Sequence, residues 1–173
     1  MKNSSKILLY IFFCWFFLFQ NKIFASEITF DTVKINITND GKIIKAGSGT
    51  VFSKDDNLTI NAESFEYNKV FEKLNANNGL AILSEKKIEI KANKFIYDKK
   101  NSTIKAVEKV KIKDLTNNIT IKTENIFYKN DIIESTVKST FIDKLGNIFI
   151  TDNFIYTLDD DLIKISNAKI TDV

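Results

Sequence analysis

Residues Ile90–Lys100 read IKANKFIYDKK, and much the same phrase is written three more times: INAESFEYNKV from Ile60, IKTENIFYKND from Ile121 and FITDNFIYTLD from Phe149. Aligned, the four copies place Tyr67, Tyr97, Tyr128 and Tyr156 in register, at spacings of 30, 31 and 28 residues. Self-similarity at such a period marks stacked supersecondary units, each too thin to bury its own apolar face. A weaker fifth copy, ITFDTVKI over Ile28–Ile35, precedes them, with Ile35 in the tyrosine's place.

Each copy alternates apolar and polar residues, the signature of a half-buried strand. The parity changes midway. Ile88, Ile90 and Ala92 are even, whereas Phe95 and Tyr97 are odd. The same break falls at Glu63–Ser64 and at Glu124–Asn125. One residue of slip would turn every later side chain outward, so a bulge or corner at the break must restore the inward direction. Each copy therefore bends there and passes from one sheet to another. Asn- and Asp-rich turns follow the tyrosines, and Asn39-Asp40-Gly41 is a hairpin signal in its own right. No amphipathic helix is evident after the leader. The expectation is an all-β fold of roughly ten to fourteen short antiparallel strands with lysine-rich outer faces.

The first 25 residues stand apart. MKNSSK is basic, Ile7–Phe19 is an uninterrupted apolar run of thirteen residues, and QNKIFA ends on the small residue Ala25. That order is a secretory signal peptide, and the run falls short of the about 20 residues of a membrane-spanning helix. Cleavage after Ala25 is expected; the competing reading is an uncleaved anchor. Residues 26–173 then form one domain.

The excess positive charge sits in the leader. The remainder, Ser26–Val173, carries 22 lysines against 22 acids and no arginine. Arginine is the usual reader of guanine and paired phosphates, so a nucleic-acid partner is not expected. The same segment has no cysteine and no histidine. Disulfides, thiolate or imidazole metal ligands and the common catalytic bases are therefore missing, and neither a cofactor nor an enzymatic activity is expected. Asp159-Asp160-Asp161 lacks the alternating ligands and glycine of a calcium loop and reads as an acidic turn. Glu63, Glu124 and Asp152 recur at the corner position, with Asn93 in the remaining copy, and are expected to bond nearby backbone amides rather than to act as an acid–base pair. Lys86-Lys87 and Lys99-Lys100 read as turn residues, with contact to anionic headgroups as the functional alternative.

What remains is a repeated inward row: Leu58, Ile60, Phe65, Tyr67, Ile88, Ile90, Phe95, Tyr97, Ile119, Ile121, Ile126, Tyr128, Phe154 and Tyr156. It is either a plain closed core or the lining of a partly open trough for an acyl chain; periodicity does not separate the two.

The repeat also resembles a known pattern. INAESFEYNKVFEKLNANNGLAI and IKANKFIYDKKNSTIKAVEKVKI look like the OstA-type domain of lipopolysaccharide transport, and GKIIKAGSGTVFS, Gly41–Ser53, looks like its turn-and-return half. The likeness covers Ile28 to Val173. It implies a twisted, partly open β-jelly roll in the periplasm of a Gram-negative bacterium, associated with the outer membrane. It implies a groove that shields the acyl chains of lipopolysaccharide, strand addition to neighbouring OstA-like jelly rolls, and outer-membrane assembly components as partners. The segment from Thr123 resembles most the second half of the domain that precedes the barrel in the family's outer-membrane assembly member. The barrel and the linking cysteines of such relatives are not in this sequence. A piece of an outer-membrane protein, a free periplasmic bridge and an anchored inner-membrane member remain open as alternatives, and a secreted β-solenoid or adhesin scaffold is the reading outside the family.

Overall fold

The computed structural model describes residues 28–171, so the expected leader and its cleavage point lie outside the described residues. The chain is all-β. Its strands are β1 (Ile28–Thr32), β2 (Ile35–Thr38), β3 (Ile43–Ala46), β4 (Gly49–Ser53), β5 (Leu58–Asn68), β6 (Lys73–Leu83), β7 (Ile88–Asp98), β8 (Thr103–Asp114) and β9 (Ile119–Lys129). They continue with β10 (Ile132–Ser135), β11 (Ser139–Ile142), β12 (Ile148–Thr151), β13 (Asn153–Thr157), β14 (Leu162–Ser166) and β15 (Lys169–Thr171). A single 3-10 turn, Lys99–Asn101, interrupts them.

The fifteen strands form one antiparallel hydrogen-bonded system that does not close into a barrel. Five of them, β5 to β9, run 11 or 12 residues without a break, longer than the short arms expected from the parity change. The break is a bend inside a continuous strand. Its effect shows at both ends of the long-strand block. The first half of β5 pairs with β4 and its second half with β3. The first half of β9 pairs with β11 and its second half with β10. The sheet is thereby folded into two layers. One contains β1, β4, the leading halves of β5, β7 and β9, the trailing halves of β6 and β8, then β11, β12 and β15. The other contains β2, β3, the complementary halves, β10, β13 and β14.

Left-handed backbone at Asn78, Glu108, Lys109 and Asn167 makes the fold line. In β8 the extra residue shifts the register against both neighbours, which is a bulge. The repeated corner acids secure this line, but not chiefly through backbone amides as expected. Glu63 accepts from the side-chain amide of Asn78 and Asp152 from that of Asn167, each at 2.8 Å. Only Glu124 takes a backbone N–H, that of Lys109, at 3.4 Å. Each acid thus holds a corner residue of the adjoining strand whose φ is positive.

Turn chemistry is local and repeated. Asn68 accepts from the N–H groups of Val70 and Phe71, Asp114 from those of Thr116 and Asn117, and Asp143 from those of Leu145 and Asn147. Short acceptors at the turn's first position do what longer side chains cannot. The β2–β3 hairpin turns through Asn39, Asp40 and Gly41, all with positive φ.

Close strand approach demands glycine at two points in the first layer, Gly49 and Gly79, and most tightly at Gly49. A Cβ on Gly49 would lie 2.3 Å from the Asp31 carbonyl oxygen and 2.6 Å from the Thr32 methyl. Gly49→Ala should push β1 off β4 and cost about 1–3 kcal/mol, the range for overpacking. Chemical denaturation measures the loss, and hydrogen exchange should place it in β1.

Candidate functional site

The interior is organised in cross-strand files. In the second layer one file runs Ile37, Ile44, Tyr67, Leu74, Tyr97, Ile104, Tyr128, Ile133, Tyr156, Ile163, one residue per strand. The four tyrosines of the repeat lie in this single row, separated by aliphatic residues. Ile37, not Ile35, fills the tyrosine's place in the first unit; Ile35 stands opposite Ala46, in the file of Phe65. In that file Phe65, Ala76, Phe95 and Ala106 alternate large with small, so adjacent rings interleave without collision.

The first layer carries a matching file: Phe30, Val51, Ile60, Ala81, Ile90, Ile112, Ile121, Phe141, Phe149, Ile170. It is apolar in every strand of the layer. The layers touch where Phe30 meets the rings of Phe65 and Tyr67, and where Phe141 meets Phe154 edge-to-face at 5.1 Å. Such ring pairs add about 0.5–1.5 kcal/mol beyond burial.

All fourteen residues singled out in the sequence point into this seam. Twelve are buried; Ile119 and Tyr128 are partly buried and packed against the others. Over its middle the seam is filled by its own side chains. At its ends it is not. Ile35, Ile37, Ile165 and Ile170 are exposed, and β1, β2, β14 and β15 each have one unpaired edge among the described residues.

The rim opposite the fold line is a clasp between layers. The Tyr97 hydroxyl donates to the Asp56 carboxylate and lies 2.7 Å from Ser53 Oγ, so β7 of one layer is tied to the β4–β5 turn of the other. The Tyr156 hydroxyl donates to the buried carboxylate of Asp114, and Asn117 bridges Asp114 and Asp161 at 2.8 Å each. Lys86, in the β6–β7 turn, pairs with Asp131 at 3.2 Å and with Asp159, on two turns of the facing layer. The Asp159–Asp161 run is therefore not a plain solvated turn: two of its three acids latch the mouth. Lys86 likewise leaves the class of free turn lysines, and the Asp159 and Asp131 carboxylates raise its pKa above the usual lysine value.

The tyrosine hydroxyls stay protonated donors. Burial, helped by Asp56 at Tyr97, by Asp131 at Tyr128 and by Asp114 at Tyr156, pushes all three pKa values well above the ordinary 10. A cavity of about 250 Å³ lies inside the mouth, lined by Asp55, Asp56, Lys86, Tyr97, Tyr128 and Asp131 among others. No group of three or more acids, histidines or cysteines is placed to hold a metal ion among the described residues. Sequence reasoning found the tyrosines but not their partners: those of Tyr97 and Tyr156 lie 39 to 44 positions away, in turns and at strand ends of the facing layer, and Tyr128 donates to Asp131 in the turn that follows it. No protein-family model matches the chain, and no characterised protein matches its sequence.

Proposed function

We propose that the chain is a non-catalytic carrier and bridge for lipopolysaccharide, working in the periplasm and shielding the glycolipid's acyl chains between its two β-layers. One observation carries the reading: an apolar file crosses ten strand segments of the first layer without a polar interruption and ends, on both sides, beside strands with an unpaired edge. A closed core needs neither the unbroken length nor the exposed ends. The resemblance of the repeat to OstA-type domains supports the same reading.

Each CH₂ withdrawn from water contributes about 0.8 kcal/mol, so a tail of ordinary length is held strongly by any continuous apolar path. Near-equivalent repeats give near-equal free energy at successive positions, and the ligand slides rather than being trapped. The unpaired edges take a strand from a neighbouring jelly roll. That pairing removes the aggregation hazard of exposed edges and makes one seam continuous with the next. Because the middle of the seam is packed, a tail advances only as the layers part, and the clasp at the mouth is what yields.

Phe95 and Ile96 provide the test. They are adjacent in β7, the first fully buried and the second exposed on the outer face. With a photoreactive phenylalanine analogue at either position, lipopolysaccharide should be labelled from Phe95 and not from Ile96. Label from Ile96 alone, or from neither while the protein is folded, leaves only a secreted β-scaffold.

A further inference from the structure

The outer face of the first layer carries a charge arrangement that folding alone does not explain. Elsewhere among the described strands no lysine is paired with another lysine; its cross-strand partners are acids, neutral polar residues or apolar residues. Lys45 faces Glu66 at 3.1 Å, Lys73 faces Asp98 at 3.5 Å, and Lys113 stands opposite Glu89. On the outer face of the second layer, Ile96, Lys105, Phe127, Glu134, Ile155 and Lys164 form one file in which charged and apolar residues alternate.

One file breaks this rule. Lys91, Lys111 and Lys122 are direct cross-strand neighbours on β7, β8 and β9, followed by Thr140, Ile150 and Lys169. Like charges directly opposite one another destabilise a sheet, and neighbouring strands are only about 4.8 Å apart. None of these lysines makes an ion pair among the described residues.

The same place is concave. Beyond β9 the sheet splits, since β9 passes from β11 to β10 at the fold line. The split leaves a cleft of about 440 Å³ whose lining includes Lys109, Lys111, Lys122, Lys138, Glu124 and Thr140. Four lysines meet one acid there, and that carboxylate already accepts the Lys109 backbone N–H. Glu108, the other acid near the bulge, is held by Lys94 at 2.6 Å. In a segment with equal numbers of lysines and acids, this is a local cationic excess inside a recess.

We propose that this cleft binds a phosphate-bearing ligand, the ammonium groups of Lys109, Lys111, Lys122 and Lys138 supplying the charge and the Thr140 hydroxyl a further hydrogen bond. Lysine ammonium groups act as mobile point charges and suit phosphate oxygens without a fixed fork. Bound phosphate turns the repulsion within the file into attraction. The cleft lies outside the apolar seam, so phosphate binds there whether or not the seam takes a lipid tail.

Two probes separate the sources of phosphate: inorganic pyrophosphate, and vesicles of equal parts phosphatidylcholine and phosphatidylglycerol. The variant is the pair Lys111→Gln and Lys122→Gln, and the control is Lys45→Gln, a single lysine neutralised on the other layer. Calorimetry should give saturable, salt-sensitive pyrophosphate binding that the double variant weakens tenfold or more and the control leaves unchanged. Pyrophosphate silence with vesicle flotation that the double variant abolishes assigns the cleft to a lipid headgroup. The double variant should unfold no lower in temperature than the parent, because it relieves like-charge repulsion, so lost binding is not lost folding. Absence of binding to both probes, or binding that the double variant and the control weaken alike, overturns the assignment.

Discussion

Ile121→Asp is expected to leave the protein unfolded. Ile121 has no solvent exposure and stands in the apolar file between Ile112 and Phe141. A carboxylate there has no cation or hydrogen-bond donor in the file to meet it, and an uncompensated buried charge costs about 3–5 kcal/mol. The cavity left by the shorter side chain adds to that. Total stability of a domain this size is about 5–15 kcal/mol, so one substitution removes most of it. The adjacent Lys122→Asp, on the outer face, should stay within about 0.5 kcal/mol of the parent or stabilise it. Circular dichroism with urea denaturation measures both. A cooperatively folded Ile121→Asp protein would mean that the inward file is not the core. The same burial bears on function: a charge at Ile121 or Phe95 tests folding before it tests lipid binding, which is why labelling, not charge insertion, is the right probe of the seam.

The second large effect is at the clasp. Asp114 is 4% exposed and accepts four hydrogen bonds, from the backbone of Thr116 and Asn117, the side chain of Asn117 and the hydroxyl of Tyr156. Asp114→Ala strands the turn amides and leaves the Tyr156 hydroxyl without its acceptor. Hydrogen bonds to a charged group are worth about 1.5–3 kcal/mol each, not fully additive, so a loss of about 3–5 kcal/mol is expected. Asp114→Asn keeps the shape and should lose less. The two variants differ from the parent in pH dependence as well. Burial by itself would raise the Asp114 pKa, but the hydrogen bonds from Tyr156, Asn117 and Thr116 outweigh it and hold the value below the ordinary carboxylate range. Its stabilisation is therefore complete above the unfolded-state pKa of about 3.9 and is lost as pH falls through the lower folded value. Denaturation curves between pH 6 and pH 3 should show the parent losing stability more steeply than Asp114→Asn. Parallel curves would show that the clasp carboxylate contributes nothing.

The repeat was legible because its physical cause is local. Alternation with a parity break at Glu63, Asn93 and Glu124 can be satisfied only where the inward direction changes, and the buried face of β5, β7 and β9 does change parity there. Strand length was less legible: a bend and a chain break leave the same mark in an apolar pattern, and the pattern of two arms hid continuous strands of 11 residues. Ile35 does not take the tyrosine's place in the first unit, and Ile37 does, for a related reason. The first unit spreads its two arms over β1 and β2 with Val33 and Lys34 between them, so counting along the chain does not preserve cross-strand register.

Sequence alone determined the all-β class, the inward faces of β5, β7 and β9 and the tyrosine row, because a period of two leaves each residue one choice of side. In the trailing half of β6, where Leu80, Ala81, Ile82 and Leu83 are all apolar, alternation gave no such choice and the structure buries Ala81 and Leu83. Tertiary structure alone decided that Tyr97 meets Ser53 and Asp56, that Tyr156 meets Asp114, that Lys86 spans two turns, and that three lysines share one file. Those pairings depend on how far one layer is rotated over the other and on where β9 changes partner. Both are sums of small twists and bulges along many strands, and no single stretch of residues encodes them.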